Sequence, residues 1–192
     1  MTQKTRYAPP RAGAMLESLR GLGYSPAAAL ADVIDNSISA GANHIAVKMS
    51  WDDGASRISI LDNGLGMSDP ELESAMRLGD KNPLEARAPS DLGRFGMGLK
   101  TSSFSQCRRL TVASIKAGER SCLRWDLDAL AEDPKGDWAM HEGAADGSEK
   151  FLDPLSSQSS GTLVLWEKLD RIVTSGYTAD HFNDLIDEIQ TH

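Results

Sequence analysis

Four polar side chains share one side of a short amphipathic segment, residues 29–42 (ALADVIDNSISAGA). At the 100° per residue of an α-helix they fall on one arc of roughly 100°, opposite an aliphatic stripe. Such a narrow face of carboxylate and amide groups is either exposed to solvent or forms the wall of a site. The four residues are Asp32, Asp35, Asn36 and Ser39, and Asp32 precedes Asn36 by about one helical turn.

Three other stretches have residue types suited to the remaining walls of a site. In LDNGLGM (61–67) a strand is predicted to end at Asp62 before the chain turns through glycines. GRFGMGLKTSSF (93–104) is a glycine cluster that leads into a helix, and SGTLVLWE (160–167) places a threonine at the start of a strand. Taken singly, each is as typical of an ordinary turn or a flexible loop as of a binding site. Their combined order and spacing favour a site.

The elements that must position these residues can be predicted in the first half of the chain. Ser25 and Pro26 supply an N-cap and a first-turn proline for the helix that carries Asp32, and Gly41 supplies its end. The predicted elements are a helix ending near Gly21 or Gly23, a helix from Ser25 to Gly41, strands over HIAVKMSW (44–51) and RISIL (57–61), and a helix opened by the capping box SDPE (68–71).

The second half begins with a long glycine-containing loop and continues mainly as strands. Its predicted elements are a loop over about 79–98, a short helix from about Leu99, a hairpin around Ala117 and Gly118, a polar and mobile segment over about 131–160, a strand over TLVLWEKL (162–169), and a terminal amphipathic helix through Phe182 and Ile189. This order predicts an α+β fold, a two-layer sandwich with a mixed or antiparallel sheet and helices on one face.

Length and composition place the chain among ordinary globular domains. Its 192 residues fit a single domain over 1–192, with 40% hydrophobic and 25% charged residues. The net charge of −8 argues against broad nucleic-acid binding, and no run of 18 apolar residues predicts a membrane span. Two cysteines without a signal-peptide pattern indicate free thiols and a cytoplasmic location. Because the chain ends within a helical pattern, we expect a longer protein; a natural end is the alternative.

The four stretches together resemble the GHKL, or Bergerat-fold, ATPases, a superfamily of histidine kinases, gyrases, chaperones, mismatch-repair ATPases and MORC-type ATPases. The similarity runs from Ala29 to about Lys168, most of the chain. DNSISAGA, DNGLGM and GRFGMGLKTSSF are most similar to the MORC, chaperone and topoisomerase branches. All four motifs in the family's order are a far more specific signal than a single glycine motif. The resemblance implies a domain that binds ATP with Mg²⁺.

The resemblance assigns the purine to residues around Asp62. In the family this aspartate accepts from the adenine amino group, which selects against guanine because guanine has a carbonyl at that position. Gly64 and Gly66 would let the backbone approach the base closely. Met67 would pack on the purine, although a methionine here can equally fill the core. Thr162 resembles the threonine that supports the aspartate, directly or through water.

The glycine cluster is assigned to the phosphates. Backbone N–H groups at Gly93, Gly96 and Gly98 would wrap them at the positive end of the following helix. Lys100 is a candidate phosphate contact, with a solvated lysine as the alternative. The positions assigned here are Gly93, Arg94, Phe95, Gly96, Met97, Gly98, Leu99 and Lys100.

The amphipathic helix is assigned to the metal and the catalytic base. Asn36 resembles the asparagine whose side-chain oxygen holds Mg²⁺, together with phosphate oxygens and waters. Asp32 departs from the family, because the hydrolysing branches usually have glutamate there, one methylene longer, as the general base. A general base displaced by about 1 Å can cost around a hundredfold in rate. Asp32 therefore supports nucleotide binding more firmly than it supports hydrolysis. Asp35 is expected to act on water or Mg²⁺ indirectly, with a hydrogen bond to a neighbouring strand as the alternative.

Three functions stay open at this point. The first is a Mg²⁺-dependent ATPase with slow turnover, which acts as a conformational and dimerisation switch. The second is a sensor that binds ATP without hydrolysing it, which the aspartate at position 32 makes serious. A histidine-kinase-type phosphotransferase is less favoured, because of the carboxylate at position 32 and the different second motif. A Rossmann dehydrogenase is excluded, because the glycine cluster lacks the preceding strand.

The expected partners follow from the same resemblance. They are ATP and ADP, a second copy in a nucleotide-dependent homodimer, and downstream domains of the same protein, one of which would supply a phosphate-contacting lysine. The loop over about 79–98 would act as a lid over the triphosphate. The segment TRYAPPRAG (5–13) could cross to the second copy, with a frayed terminus as the alternative.

Overall fold

The computed structural model describes residues 4–79 and 98–191, and its elements follow the predicted order. The α-helices in these ranges are α1 (Ala12–Leu19), α2 (Pro26–Ser39), α3 (Asp69–Met76), α4 (Gly98–Phe104), α5 (Leu127–Glu132) and α6 (Ala179–Thr191). The strands are β1 (Ile45–Ser50), β2 (Arg57–Asp62), β3 (Arg109–Lys116), β4 (Glu119–Asp126), β5 (His141–Glu142) and β6 (Gly161–Glu167). Short 3₁₀ helices cover Arg20–Leu22, Asp53–Ala55 and Glu149–Ser157.

Helix α2 begins and ends where the sequence predicts. The Ser25 side chain accepts a hydrogen bond from the Ala28 backbone N–H at 3.2 Å, and Pro26 is the first helical residue. The chain leaves the helix through Gly41, whose φ of 75° is the left-handed conformation that favours glycine. These terminal signals confirm the predicted bounds of the helix that carries Asp32.

The predicted capping box at the start of α3 is also present. Glu71 Oε2 accepts from the Ser68 backbone N–H at 2.7 Å, which fastens the first turn of the helix to the chain before it. The glutamate reaches further, because both of its carboxylate oxygens contact Lys116 Nζ, at 2.6 and 2.7 Å. The box therefore also ties α3 to the end of β3.

The six strands form one sheet in the order β1-β2-β6-β3-β4-β5, and every pairing is antiparallel. The expectation of a mixed or antiparallel sheet is thus confirmed in its antiparallel form. The β3–β4 hairpin turns at Ala117 and Gly118, as predicted, and both residues have positive φ. In the centre, β6 lies between β2 and β3, so residues distant in the sequence become neighbours.

The two faces of the sheet bury different elements. The α-helices cover one face and form the larger core with alternate strand positions such as Ile60, Val112 and Val164. On the opposite face, the 3₁₀ segment Glu149–Ser157 packs Leu152 and Leu155 into a smaller cluster. The α+β sandwich with α-helices on one face is therefore confirmed, and the second face has a small cover of its own.

Several smaller expectations can be compared with the structure. Cys107 is fully buried and Cys122 is partly buried, and both are free thiols, as predicted. Burial raises the pKa of each thiol, most strongly that of Cys107. Within residues 131–160 the structure places β5 and the long 3₁₀ helix, and the mobility of this segment stays a prediction. Among the described helices, none is both long enough and apolar enough to cross a membrane.

Candidate functional site

Three neighbouring strands place three polar side chains side by side. Asp62 at the end of β2 is paired with Thr162 of β6, and Thr162 is paired with Ser114 of β3. In antiparallel strands, directly paired residues point to the same face of the sheet. Here it is the face that the α-helices cover, and all three residues are buried. We name Asp62, Thr162 and Ser114 the strand-end triad.

The Asp62 carboxylate is held entirely by neutral donors. Oδ1 accepts from the backbone N–H groups of Gly64 at 2.9 Å and Thr162 at 3.3 Å. Oδ2 accepts from the hydroxyl of Ser37 in α2 at 2.9 Å. Within the described residues, no lysine, arginine or histidine pairs with this buried carboxylate. A carboxylate has about four lone-pair positions, so one on Oδ2 is left for a further donor.

Ser114 connects the strand-end triad to the turn after β2. Its Oγ accepts from the Met67 backbone N–H at 2.7 Å and lies 3.0 Å from the Gly161 carbonyl oxygen. The same Oγ is 2.9 Å from Thr162 Oγ1. Sequence reasoning missed Ser37 and Ser114, because a buried serine has the same residue type as a surface one. Leu110 and Val112 of β3 lie on the same face of the sheet, and the next alternate residue is Ser114. Following this alternation would have placed Ser114 on the face of the sheet that carries Asp62 and Thr162.

Two glycines allow the backbone to pack this closely. A Cβ on Gly66, whose φ is 66°, would lie 1.9 Å from the Ile115 carbonyl oxygen. A Cβ on Gly161, whose φ is 144°, would lie 2.1 Å from the Asp62 carbonyl oxygen. No side chain fits at either position, so both glycines are required for the turns around Asp62. Sequence reasoning identified Gly66 and left Gly161 unassigned inside its SGT motif.

Helix α2 carries its polar face along the same edge. Asn36 directly precedes Ser37, the residue that holds Asp62, and its Nδ2 donates to the Asp32 carbonyl at 2.7 Å. With the nitrogen engaged by the helix backbone, the amide oxygen is the atom that can face a ligand. Asp32 is partly buried, and a Cβ on Gly98 would lie 3.9 Å from its Oδ2. Asp35 and Asn36 are exposed.

Tyr24, which the sequence analysis did not assign, contacts Asp32. The pKa of the Tyr24 hydroxyl is raised, first by burial and then by the charge of Asp32 and the hydrogen bond to its carboxylate. A weaker opposing contribution comes from a hydrogen bond with Thr101 of α4. Gln106 donates to the Tyr24 backbone carbonyl at 3.1 Å and holds that residue in place. Tyr24 therefore lies beside the carboxylate predicted to be the general base.

Lys100 is buried, which excludes the solvated lysine considered above. Its Nζ donates to the backbone carbonyls of Ala75 at 2.7 Å and Arg77 at 2.9 Å, at the end of α3. A cation at a helix C-terminus is stabilised by the unpaired carbonyls there. In the structure Lys100 thus joins α4 to α3, and its contact with a phosphate stays a prediction.

The remaining predicted positions divide into two groups. Met67 and Leu99 are partly buried and pack against the larger core, so the core role considered for Met67 is present. Five residues of the glycine cluster lie outside the described residues, as does most of the expected lid over about 79–98. These five are Gly93, Arg94, Phe95, Gly96 and Met97.

The residues present suit a magnesium ion that takes most of its ligands from a nucleotide. In the described ranges no three His, Cys, Asp or Glu side chains cluster closely enough to hold a metal on their own. Mg²⁺ binds few protein groups and prefers hard oxygens, with waters and substrate phosphates completing its octahedron. The exposed amide oxygen of Asn36, one turn from the Asp32 carboxylate, meets that requirement.

Two surface cavities lie away from the strand-end triad. One of about 200 Å³ is beside the β1–β2 turn, and one of about 270 Å³ lies between α1 and α5. Both are smaller than the roughly 300 Å³ at which ligand pockets begin. We assign no ligand to either cavity.

Comparison with known proteins gives one family and several relatives. The family model described as "Histidine kinase-, DNA gyrase B-, and HSP90-like ATPase" matches residues 24–162, a range that includes α2, the triad and α4. The match begins at Tyr24 and ends at Thr162, so it includes all the site residues described above.

Individual relatives are similar over shorter stretches. Chaperone protein HtpG of Bordetella avium is 34% identical over 103 residues, which is 48% of this chain and 16% of the relative. HtpG of Treponema denticola is 29% identical over 129 residues, 62% of this chain and 19% of the relative. DNA mismatch repair protein MutL of Acidiphilium cryptum is 33% identical over 107 residues, 55% of this chain and 18% of the relative. The chain therefore matches less than a fifth of the length of these proteins.

Proposed function

Since the family match covers residues 24–162, the chain belongs to the histidine kinase-, DNA gyrase B- and HSP90-like ATPases, and we propose that it is a Mg²⁺-dependent ATPase domain working as a conformational switch. Membership in this family carries ATP binding and hydrolysis in general. The metal requirement, the role of each residue and the switch are our proposal.

The Asp62 carboxylate is the observation that carries the proposal. A buried carboxylate normally has a cationic partner, yet the described residues give Asp62 only neutral donors and leave one acceptor position on Oδ2. The adenine amino group is a donor of the right type for that position. We assign the adenine ring to Asp62 and Thr162. Gly64 and Gly66 would let the backbone approach the ring closely, and Met67 would lie beside the ring.

The phosphates and the metal are assigned to the edge between α2 and α4. Asn36 would hold Mg²⁺ through its amide oxygen, and Asp35 would act from the exposed side of the helix on the waters around the ion. Backbone N–H groups of the glycine cluster, from Gly93 to Gly98, would bind the phosphates, with Lys100 at the first turn of α4. Bound Mg²⁺ would supply charge neutralisation for the phosphate oxygens.

Asp32 is our candidate for the general base. Its carboxylate would accept a proton from the water that attacks the terminal phosphate. Tyr24 lies beside this carboxylate, and the Asp32 charge contributes to the raised pKa of the Tyr24 hydroxyl. Because aspartate is one methylene shorter than the usual glutamate, we expect slow turnover.

The test is Mg²⁺·ATP binding and turnover by the 192-residue chain and three variants. We expect Asp32→Asn to bind ATP within about threefold of wild type and to lose at least about tenfold in turnover, because only the base is removed. Asp32→Glu is the matched variant that restores the family's usual side chain. Asn36→Ala should weaken ATP binding in the presence of Mg²⁺ and leave binding in EDTA unchanged.

Each outcome has a definite meaning. Absence of nucleotide binding by the wild type contradicts the proposed function as a whole. Unchanged turnover in Asp32→Asn removes Asp32 from the role of base. Binding without turnover in both wild type and Asp32→Glu favours the second candidate, a sensor that binds ATP and does not hydrolyse it. The aspartate at position 32 is the observation that favours this candidate.

The wider role is proposed from the same relatives. ATP binding would close the lid over about 79–98 and favour a homodimer, and release of ADP would reopen it. Because the chain matches less than a fifth of the length of the three relatives named above, we propose that downstream domains of the same protein respond to the lid closure. A cytoplasmic location accords with the two free thiols. Molar mass in solution with and without ATP tests the dimer.

A further inference from the structure

The hydrogen bonds around Ser114 determine which way the Thr162 hydroxyl points. The Met67 N–H can only donate, and the Gly161 carbonyl can only accept. Ser114 has a single hydroxyl hydrogen, so satisfying both partners means that it accepts from Met67 and donates to Gly161. In the remaining hydrogen bond, of 2.9 Å between Ser114 Oγ and Thr162 Oγ1, Thr162 must then be the donor.

With its hydrogen directed at Ser114, Thr162 presents only lone pairs to its remaining surroundings. Its register partner Asp62 also presents only a lone pair, the one left on Oδ2. The wall formed by these two residues therefore accepts hydrogen bonds and donates none. Both residues are buried. A ligand acceptor that faces this wall would therefore lose its hydrogen bond to water and gain no other.

We propose that Ser114 is a positioning residue for purine selection, which acts by keeping the Thr162 hydroxyl an acceptor. The inference rests on the proposed function, since it places the six-position of the purine against Asp62 and Thr162. A 6-amino group offers two hydrogens and matches an accepting wall. A 6-oxo group offers lone pairs and is rejected by it.

Removing the Ser114 hydroxyl should change the kind of purine that the wall accepts. In Ser114→Ala the Thr162 hydroxyl is free to rotate and can donate to a 6-oxo group, while Asp62 accepts from the neighbouring ring N–H. The wall then matches hypoxanthine, which has both groups. Loss of the Met67 bond weakens all nucleotides equally, so the ratio of two affinities is the informative quantity.

The experiment measures the affinities of ATP and ITP for the 192-residue chain by calorimetry. ITP differs from ATP at the six-position and in the adjacent ring N–H alone, so it isolates this contact. We expect the wild type to prefer ATP and Ser114→Ala to reduce that preference by about tenfold. Ser114→Thr keeps a hydroxyl and should keep the preference. Ser148→Ala removes a buried serine hydroxyl that donates to Glu167 and should leave the ratio unchanged.

A double-mutant cycle with Thr162→Val tests whether Ser114 acts through Thr162. Thr162→Val should weaken ATP without weakening ITP, because it removes an acceptor. Adding Ser114→Ala to Thr162→Val should not improve ITP further. If Ser114→Ala does not fold, Thr162→Val alone decides, since weaker ITP binding would show that Thr162 donates in the wild type.

Two failures are distinguishable. A wild type that binds neither nucleotide contradicts the proposed function. A wild type that prefers ATP, with the same ratio in Ser114→Ala, overturns only the role of Ser114.

Discussion

Carboxylates at the two ends of the central strands have different partners. At one end, the strand-end triad surrounds the Asp62 carboxylate with neutral donors. At the other end, about 16 Å along the strands at 3.3 Å per residue, four carboxylates lie against cations, while Glu167 accepts from the Ser148 hydroxyl. We name that region the ion-pair end; it comprises Glu17, Arg20, Arg108, Arg109, Asp126, Asp128, Lys168 and Asp170.

The contacts of the ion-pair end are short and shared. Asp126 lies 2.8 Å from Arg109 Nε and 3.3 Å from Lys168 Nζ. Burial alone would raise the pKa of Asp126, but the hydrogen bond and charge of Arg109 and the charge of Lys168 outweigh it, so the pKa is lowered. The groups here complete one another's hydrogen bonding. The strand-end triad leaves one acceptor position on Asp62 unfilled, and this difference separates a structural network from a candidate site.

The same substitution at both ends gives the largest contrast. Asp62→Asn keeps an oxygen for Gly64 and Thr162 but turns an N–H₂ group toward Ser37 and the purine. We expect ATP affinity to fall at least about a hundredfold, because a donor then meets the adenine amino group. Asp126→Asn should leave ATP affinity within about twofold and lower the free energy of unfolding by about 1–2 kcal/mol. Calorimetry and urea unfolding measure the two quantities.

The reverse pattern would contradict the comparison. Normal ATP affinity in Asp62→Asn removes this residue from purine recognition. A loss of ATP affinity in Asp126→Asn, with unfolding unchanged, would show that the ion-pair end belongs to the binding site.

Arg20 provides the next largest effect, on stability alone. Its side chain is 1% exposed, its Nε donates to the Phe104 carbonyl at 2.8 Å, and its guanidinium pairs with Asp170. Because Asp170 is 37% exposed, we expect Arg20→Ala to cost about 2 kcal/mol, less than a fully buried pair would. Urea unfolding measures this cost.

The matched control for this variant is an arginine on the surface. Arg120 is exposed and donates to Ser156 Oγ at 3.1 Å. Arg120→Ala should change the free energy of unfolding by no more than about 0.5 kcal/mol. Equal losses in the two variants would show that the buried contacts of Arg20 contribute nothing beyond an ordinary surface arginine.

The local elements were predictable because their signals lie within a few residues. Ser25 and Pro26 mark the start of α2, the capping box marks α3, and alternation marks the strands. The contacts of the site connect distant parts of the chain, as when Ser37 holds Asp62 and Lys100 holds the carbonyls of α3. Residue type does not encode such contacts, so Ser37, Ser114 and Tyr24 were not found. The ligands of the site stay predictions.

The smallest expected effect concerns Glu71, which contacts Lys116 at the end of β3 nearest to Ser114. The hydrogen bond from Lys116, then those from the Ser68 backbone and side chain, lower the pKa of Glu71 to about 2. A carboxyl whose pKa is lower in the folded state contributes stability above its unfolded pKa of about 4.3, and that contribution is lost as the pH falls toward 2. The unfolded chain binds more protons in this window, so stability should rise with pH across it.

The lowered pKa values of Asp126 and Asp128 act in the same direction, so the Glu71 contribution has to be isolated. Glu71→Gln removes the titrating group while keeping an oxygen for the Ser68 backbone. We expect the slope of unfolding free energy against pH, between about 2 and 4, to be slightly smaller in this variant than in wild type. Nuclear magnetic resonance titration of the wild type should find the Glu71 midpoint near 2. A midpoint near 4 would mean that Lys116 and Ser68 do not hold this carboxylate in solution, and that α3 is not tied to β3 through it.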